Sequence, residues 1–128
     1  MEEGIPIHDV TKLREALREF CSKIIGGKFE TRRKRMFGEE FDEFTCYLPD
    51  ELSWALQLSY NRPVLRLIFG GAELMIKDVE TCMGTFSGKD LVEMYDEGVW
   101  DITTFKARRF SISIPRDEEE KYLSIDVD

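Results

Sequence analysis

Alternation of apolar and polar residues dominates the middle of the chain. Between positions 41 and 79, three runs place large apolar side chains on every second residue, most clearly over 52–60. Successive side chains of a strand point to opposite faces, so these runs predict strands with one buried face and one solvated face. Short breaks containing Pro, Asn or Gly separate the runs and predict an antiparallel meander. A helix over 52–60 is the alternative, but the unbroken alternation favours a strand.

Helical spacing occurs in two other places. Apolar residues recur at intervals of three and four from Val10 to Ile24, with Asp9 as the N-cap and Gly26-Gly27 as the stop. A second, short helix is predicted near 88–97, capped by Ser87. Because the first helix has a single apolar stripe, we expect it to pack on the apolar face of the sheet.

Charge pairing suggests a register for the segment 28–48. We predict a hairpin that turns at Gly38-Glu39 and sets Lys34 opposite Glu43 and Arg35 opposite Asp42. A turn is predicted at 49–51, and further strands are predicted at 99–105, 109–115 and 122–127. The predicted fold is one α+β domain over 1–128. Its core is a curved, partly barrel-like, mostly antiparallel sheet of about eight strands with the N-terminal helix packed on it.

The charge balance narrows the class of partner. The chain has 26 acidic and 18 basic residues, and its net charge of −8 disfavours bulk attraction to nucleic acid or to an anionic membrane. The N-terminal residues do not resemble a signal peptide, and no apolar run is long enough to cross a bilayer. The three cysteines lack zinc-site spacing, and Cys21 and Cys46 occupy positions typical of free thiols. We therefore expect a soluble protein in a reducing compartment, the cytoplasm.

No motif in the chain indicates catalysis. The segment 84–90 looks like a phosphate loop, but it is one residue short between its glycines and has Asp90 after the lysine. A dyad of His8 with Cys21 or Cys82 has no supporting local signature. The carboxylate runs lack the spacing of a calcium loop. We predict no catalytic residue, no metal site and no cofactor, and an enzyme or a ligand-binding barrel around Trp54 remains a minor alternative.

Two sets of charged residues are the candidate binding sites. Acidic residues at two predicted turns favour a non-enzymatic protein of the inhibitor, immunity or regulatory adaptor type that binds a protein with a basic surface. These residues are Glu39, Glu40, Glu118 and Glu119. The alternative is binding of nucleic acid or another polyanion through the basic clusters 32–35 and 106–109, with Phe29, Phe37 or Phe110 available for stacking. Its candidate residues are Arg32, Arg33, Arg108 and Arg109. The sequence does not indicate an oligomeric state.

Overall fold

One mixed sheet with a helix packed on it forms the fold. The computed structural model describes residues 4–59, 63–86, 91–96, 100–117 and 122–128. Their elements are β1 (Ile5–Pro6), α1 (Val10–Glu19), a π-helical turn (Phe20–Ile25), β2 (Lys28–Met36), β3 (Glu39–Ser59), β4 (Val64–Phe69), β5 (Ala72–Lys77), β6 (Thr81–Phe86), β7 (Leu91–Asp96), β8 (Trp100–Pro115) and β9 (Tyr122–Val127).

The strand order confirms a curved, mostly antiparallel α+β fold. The order is β1-β5-β4-β3-β8-β9-β6, with β2 added to β3 and β7 added to β8. The pairs β1–β5 and β6–β9 are parallel, and the other pairs are antiparallel. Over the described residues the order does not return on itself, so this sheet is open and does not close into a barrel.

Two long strands, β3 and β8, organise the sheet. They pair along most of their lengths, but the register shifts between the Tyr47–Arg109 pair and the Leu52–Ala107 pair. Extra residues in a ladder bend the strands and increase their twist. The predicted turn at 49–51 is therefore wrong, and so is the predicted division of 99–115 into two strands, because both β3 and β8 continue through an irregularity.

The core lies on one face of this bent sheet, which we call the inner face. Phe44, Trp54 and Leu56 of β3 lie on it, together with Phe105 and Ile112 of β8, and all of them are buried. The predicted N-terminal helix is confirmed and covers this face with Leu13, Leu17, Phe20 and Cys21. The predicted cap is also present, since an Asp9 carboxylate oxygen accepts from the Lys12 backbone N–H at 3.2 Å. Gly26, at φ 82°, ends the helical segment as expected.

The hairpin of β2 and β3 has a different register from the predicted one. Its turn residues are Phe37 and Gly38, with φ values of 52° and 79°. Arg32 therefore lies opposite Glu43, and Arg33 lies opposite Asp42. The observed cross-strand pairing is displaced by two residues from the predicted pairing. Because side chains alternate with a period of two, each residue keeps its predicted face. The partners are wrong because a phenylalanine at a positive-φ turn position gives no turn signal.

The segment predicted as a second helix contains a strand instead. Residues 91–96 form β7, which pairs antiparallel with β8, whereas positions 87–90 and 97–98 lie outside the described residues. The edge of β8 offers backbone hydrogen-bond partners to residues 91–96. The stabilisation from this pairing exceeds what a weak N-cap contributes to a short helix. The strand predicted over 52–60 is confirmed for 52–59, and Gly70-Gly71 joins β4 to β5 as predicted.

A disulfide joins the helical segment to the sheet. Cys21 and Cys46 are bonded, with their Cα atoms 5.8 Å apart, and Cys82 is the free cysteine. The prediction of free thiols is therefore wrong for two of the three cysteines. The turn at Gly26-Gly27 places the end of the helix over β3, a proximity that sequence spacing does not reveal. The argument for a reducing compartment rested on free thiols, so it no longer holds. Among the described residues, no helix has the length and apolarity needed to span a membrane.

Candidate functional site

A cleft of about 580 Å³ opens between the start of α1 and the inner face of the β2–β3 hairpin. We call it the arginine cleft. Its charged lining residues are Arg14, Arg32, Arg33, Asp42 and Arg116, and His8 also lines it. Thr31, Val10, Phe44 and Pro115 complete the lining. The lining is therefore mostly basic, although the chain as a whole is acidic.

Three separate parts of the chain supply these side chains. Alternation along β2 puts Arg33 on the inner face beside its cross-strand partner Asp42. Arg116 follows the end of β8, where its backbone N–H donates to the Glu40 carbonyl oxygen at 3.0 Å. His8 precedes the cap of α1, and Arg14 lies one turn into the helix. The cleft therefore exists only when the helix, the hairpin and the end of β8 are all in place.

The arginines of this cleft differ in how they are paired. Within the described residues, the side chains of Arg33 and Arg116 form no hydrogen bond or ion pair. The Arg14 Nε atom is buried without a hydrogen-bond acceptor, and the Glu15 carboxylate reaches it only at 3.9 Å. The His8 Nε2 atom is likewise buried without a partner. The cleft thus holds hydrogen-bonding capacity that the described part of the protein does not use.

On the opposite face of the hairpin, which we call the outer face, the charges are neutralised. Arg32 and Lys34 both bind the carboxylate of Glu43, the latter at 3.1 Å between Nζ and Oε2. The Glu43 side chain is only 4% exposed. Burial raises the pKa of its carboxyl, but the hydrogen bonds and charges of Arg32 and Lys34 outweigh burial and leave that pKa lowered. Glu43 therefore serves the fold of the outer face.

We expect Glu43→Gln to lower the free energy of unfolding by about 1–2 kcal/mol at pH 7, because an uncharged amide replaces a carboxylate that binds two cations. The wild-type contribution is present above the carboxyl pKa of the unfolded chain, and it is lost as pH falls through the lowered folded pKa. Urea unfolding at neutral and acidic pH should show that the difference in free energy of unfolding between the wild type and Glu43→Gln becomes smaller in acid. Glu40→Gln, at an exposed position, is the control. An equal loss at both pH values would contradict this role.

The predicted basic clusters do not form one patch. Alternation sends Arg32 to the outer face and Arg33 to the inner face. Arg32 and Arg109 line one shallow recess of about 90 Å³ on the outer face. There, Arg32 binds Glu43, and Arg109 binds Asp126 at 3.1 Å. Arg108 lies where β3 and β8 bend, with its Nε atom 3.8 Å from a Glu51 carboxylate oxygen. Carboxylates thus engage three of the four predicted arginines.

The first predicted acidic pair lies at the tip of the hairpin, which comprises Met36, Phe37, Gly38, Glu39 and Glu40. Glu39 accepts a hydrogen bond from the Tyr122 hydroxyl at 3.0 Å, whereas the Glu40 side chain is exposed. Between these acids and β2 lies Phe37, whose side chain is 93% exposed. Sequence reasoning named Phe37 only for base stacking, and the positive φ that makes it unusual has no signal in the sequence. Glu118 and Glu119 lie outside the described residues.

Comparison with known proteins adds nothing to this geometry. No family model, curated protein or solved structure matches this chain. Function is therefore inferred from the described residues.

Three kinds of chemistry raised by the sequence concern metal ligands, a cysteine nucleophile and Trp54. Among the described residues, no three His, Cys, Asp or Glu side chains are grouped to hold a metal ion. The suggested dyad of His8 with a cysteine loses Cys21 to the disulfide. Burial raises the pKa of the Cys82 thiol to about 12, so the nucleophilic thiolate is scarce at neutral pH. Trp54 is 2% exposed and packed in the aromatic core against Phe69.

Proposed function

We propose that this protein is a non-enzymatic binding protein that engages a protein partner through the hairpin tip. The observation that carries the proposal is Phe37, a fully exposed aromatic residue with a positive φ. The inhibitor, immunity and regulatory adaptor classes are consistent with such a contact.

Phe37 contributes little to the fold. A non-glycine residue in the left-handed region costs roughly 1–2 kcal/mol, and a side chain left in water recovers none of that by burial. Bulky residues rarely adopt this conformation, and where they do, the strain is often found at ligand-binding positions. Large aromatic side chains are also common anchors of protein interfaces. Partner binding accounts for both unfavourable features of this residue.

Electrostatics supports a partner with a basic surface. Glu40 is exposed three residues after Phe37 in the hairpin tip, and the whole chain has a net charge of −8. Complementary charge mainly speeds association, while a buried aromatic anchor slows dissociation. We therefore propose an apolar socket surrounded by basic residues as the feature that the partner offers.

The cytoplasmic location remains a prediction from the sequence, and the disulfide weighs against it, because disulfides are rare in the cytosol. Binding of nucleic acid through the two basic clusters also remains a prediction. The carboxylates on Arg32, Arg108 and Arg109 make it the weaker candidate.

We expect Phe37→Asn to raise the free energy of unfolding by about 0.5–1 kcal/mol, because asparagine tolerates a positive φ and Asn-Gly is a favoured two-residue hairpin turn. Urea unfolding of the two proteins measures the change. Phe37→Ala is the matched control, since it removes the aromatic ring but keeps the unfavourable conformation. A loss of stability in Phe37→Asn would mean that the ring serves the fold, and this would contradict the proposal.

The partner itself can be sought with the same variants. Affinity purification with quantitative mass spectrometry would compare the wild type with Phe37→Asn and with Ile24→Asn, a control at another apolar position that is 56% exposed. A partner retained by Ile24→Asn should bind Phe37→Asn at least about tenfold more weakly in a purified assay. Glu40→Lys should slow association with that partner and reduce its salt dependence. Equal binding by all variants would contradict a role for the hairpin tip.

A further inference from the structure

We propose that the arginine cleft binds the phosphate monoester group of a small organic molecule, in its dianionic form. This site is separate from the hairpin tip and has a ligand of a different class. The argument rests on charge, on unused hydrogen-bonding capacity and on the size and lining of the cleft.

The charge of the lining favours an anion. Arg33 and Arg116 line the cleft and have no carboxylate partner within the described residues, and Asp42 is the carboxylate among the described lining residues. Arg14 adds a third guanidinium, whose Nε lies 3.9 Å from a Glu15 carboxylate oxygen outside the cleft. Arg32 also lines the cleft, but its guanidinium binds Glu43 on the outer face. A guanidinium presents paired N–H donors that fit two oxygens of one phosphate group.

The cleft arginines are also available to a ligand. Arg32, Arg66 and Arg109, elsewhere on the sheet, each bind a carboxylate. By contrast, within the described residues Arg33 and Arg116 bind none. An incoming anion therefore breaks no ion pair between these two arginines and a described residue. The buried Nε of Arg14 and Nε2 of His8 have no hydrogen-bond partner in the described part of the chain, which favours a ligand with several oxygens once these side chains turn towards it.

The dimensions indicate an organic phosphate rather than the bare ion. A volume of about 580 Å³ is within the usual range for small-molecule sites, which is roughly 300–1,000 Å³. Val10, Phe44 and Pro115 contribute apolar lining next to the charged groups. Such a combination suits a phosphate carried on a compact apolar or aromatic group. The concave shape does not suit a long polyanion, which needs a continuous charged track.

The first test compares three probes on the full chain by calorimetric titration and by NMR chemical-shift changes. Phenyl phosphate carries both the dianion and the ring, inorganic phosphate carries the anion alone, and phenylacetate carries a ring with a single charge. We expect phenyl phosphate to bind with a dissociation constant of about 0.1–1 mM and the other two to bind more weakly. Binding of phenylacetate as tight as that of phenyl phosphate would overturn the proposed ligand class. The absence of phenyl phosphate binding at about 10 mM would overturn the site itself.

The second test locates the ligand. Arg33→Gln should weaken phenyl phosphate binding by about tenfold or more, because it removes a charge-assisted donor pair. Arg35→Gln is the matched control, since Arg35 is exposed on the same face of β2 but does not line the cleft. Its dissociation constant should stay within about twofold of the wild type. Arg116→Gln repeats the test from the end of β8, should Arg33→Gln fail to fold.

Equal losses of phenyl phosphate affinity in Arg33→Gln and Arg35→Gln would indicate a general effect of charge, and this would contradict the cleft as the binding site. Phe37→Asn should leave phenyl phosphate binding unchanged. Failure of the partner proposal and failure of this one are therefore distinguishable.

Discussion

Reduction of the Cys21–Cys46 disulfide is expected to lower the free energy of unfolding by about 3–4 kcal/mol. The bond closes a loop with a sequence separation of 25 residues, and this loop length sets the entropy that the crosslink removes from the unfolded chain. The native state is arranged closely around the bond. A Cβ atom added at Gly27 would lie 3.3 Å from the Cys21 Sγ, 3.2 Å from the Cys46 Sγ and 2.4 Å from the Tyr47 carbonyl oxygen.

Urea unfolding with and without a reductant measures this contribution. Cys46→Ala should match the reduced wild type and should not respond to the reductant. Cys82→Ala keeps the disulfide and should respond as the wild type does. If the wild type were equally stable under both conditions, the disulfide would have no role in holding the helix on the sheet. Since α1 supplies Arg14 and the segment just before it supplies His8, reduction should also weaken the binding of any ligand in the arginine cleft.

Trp54→Ala is expected to lower the free energy of unfolding by about 3–5 kcal/mol, the range for removing a large buried aromatic side chain. The indole is 2% exposed and stacks on Phe69, with ring centroids 4.7 Å apart. It also packs against Phe105 and Phe110, which lie on either side of the irregularity in β8. The ring-centroid distances are 5.1 Å to Phe105 and 5.4 Å to Phe110. One side chain thus joins both parts of the bent sheet, so its loss leaves a cavity where the two parts meet.

Chemical denaturation monitored by circular dichroism tests this expectation. Trp54→Phe should cost much less than Trp54→Ala, because a ring remains and the indole Nε1 has no hydrogen-bond partner to lose. Tyr47→Ala is the control on the same strand, since Tyr47 is exposed and should change stability by less than about 1 kcal/mol. Similar losses for Trp54→Ala and Tyr47→Ala would contradict the central position of Trp54.

The arginine cleft was only partly predictable. Arg33 was predicted as a binding residue because it belongs to a run of basic residues. The same run, however, suggested a continuous surface for binding a polyanion. Applying the two-residue period within the run separates Arg33 from Arg32, and that signal was present in the sequence. Arg14 and Arg116 are far from Arg33 along the chain, and no local pattern connects them with it.

Features that depend on neighbouring residues could be predicted from the sequence. The alternation over 52–59 identified a strand and its buried face, and Asp9 and Gly26 marked the ends of the helical segment. These features follow from the periods of strands and helices and from backbone conformations available within a few residues. Even the wrong hairpin register kept every side chain on its correct face.

Which distant residues meet follows from the complete fold. The disulfide, the pairing of β7 with β8 and the continuation of β3 through 49–51 all depend on contacts between residues far apart in the chain. The arginine cleft depends on three such segments at once. Local propensities differ by only fractions of a kcal/mol per residue, so burial and backbone hydrogen bonding across the fold can outweigh them.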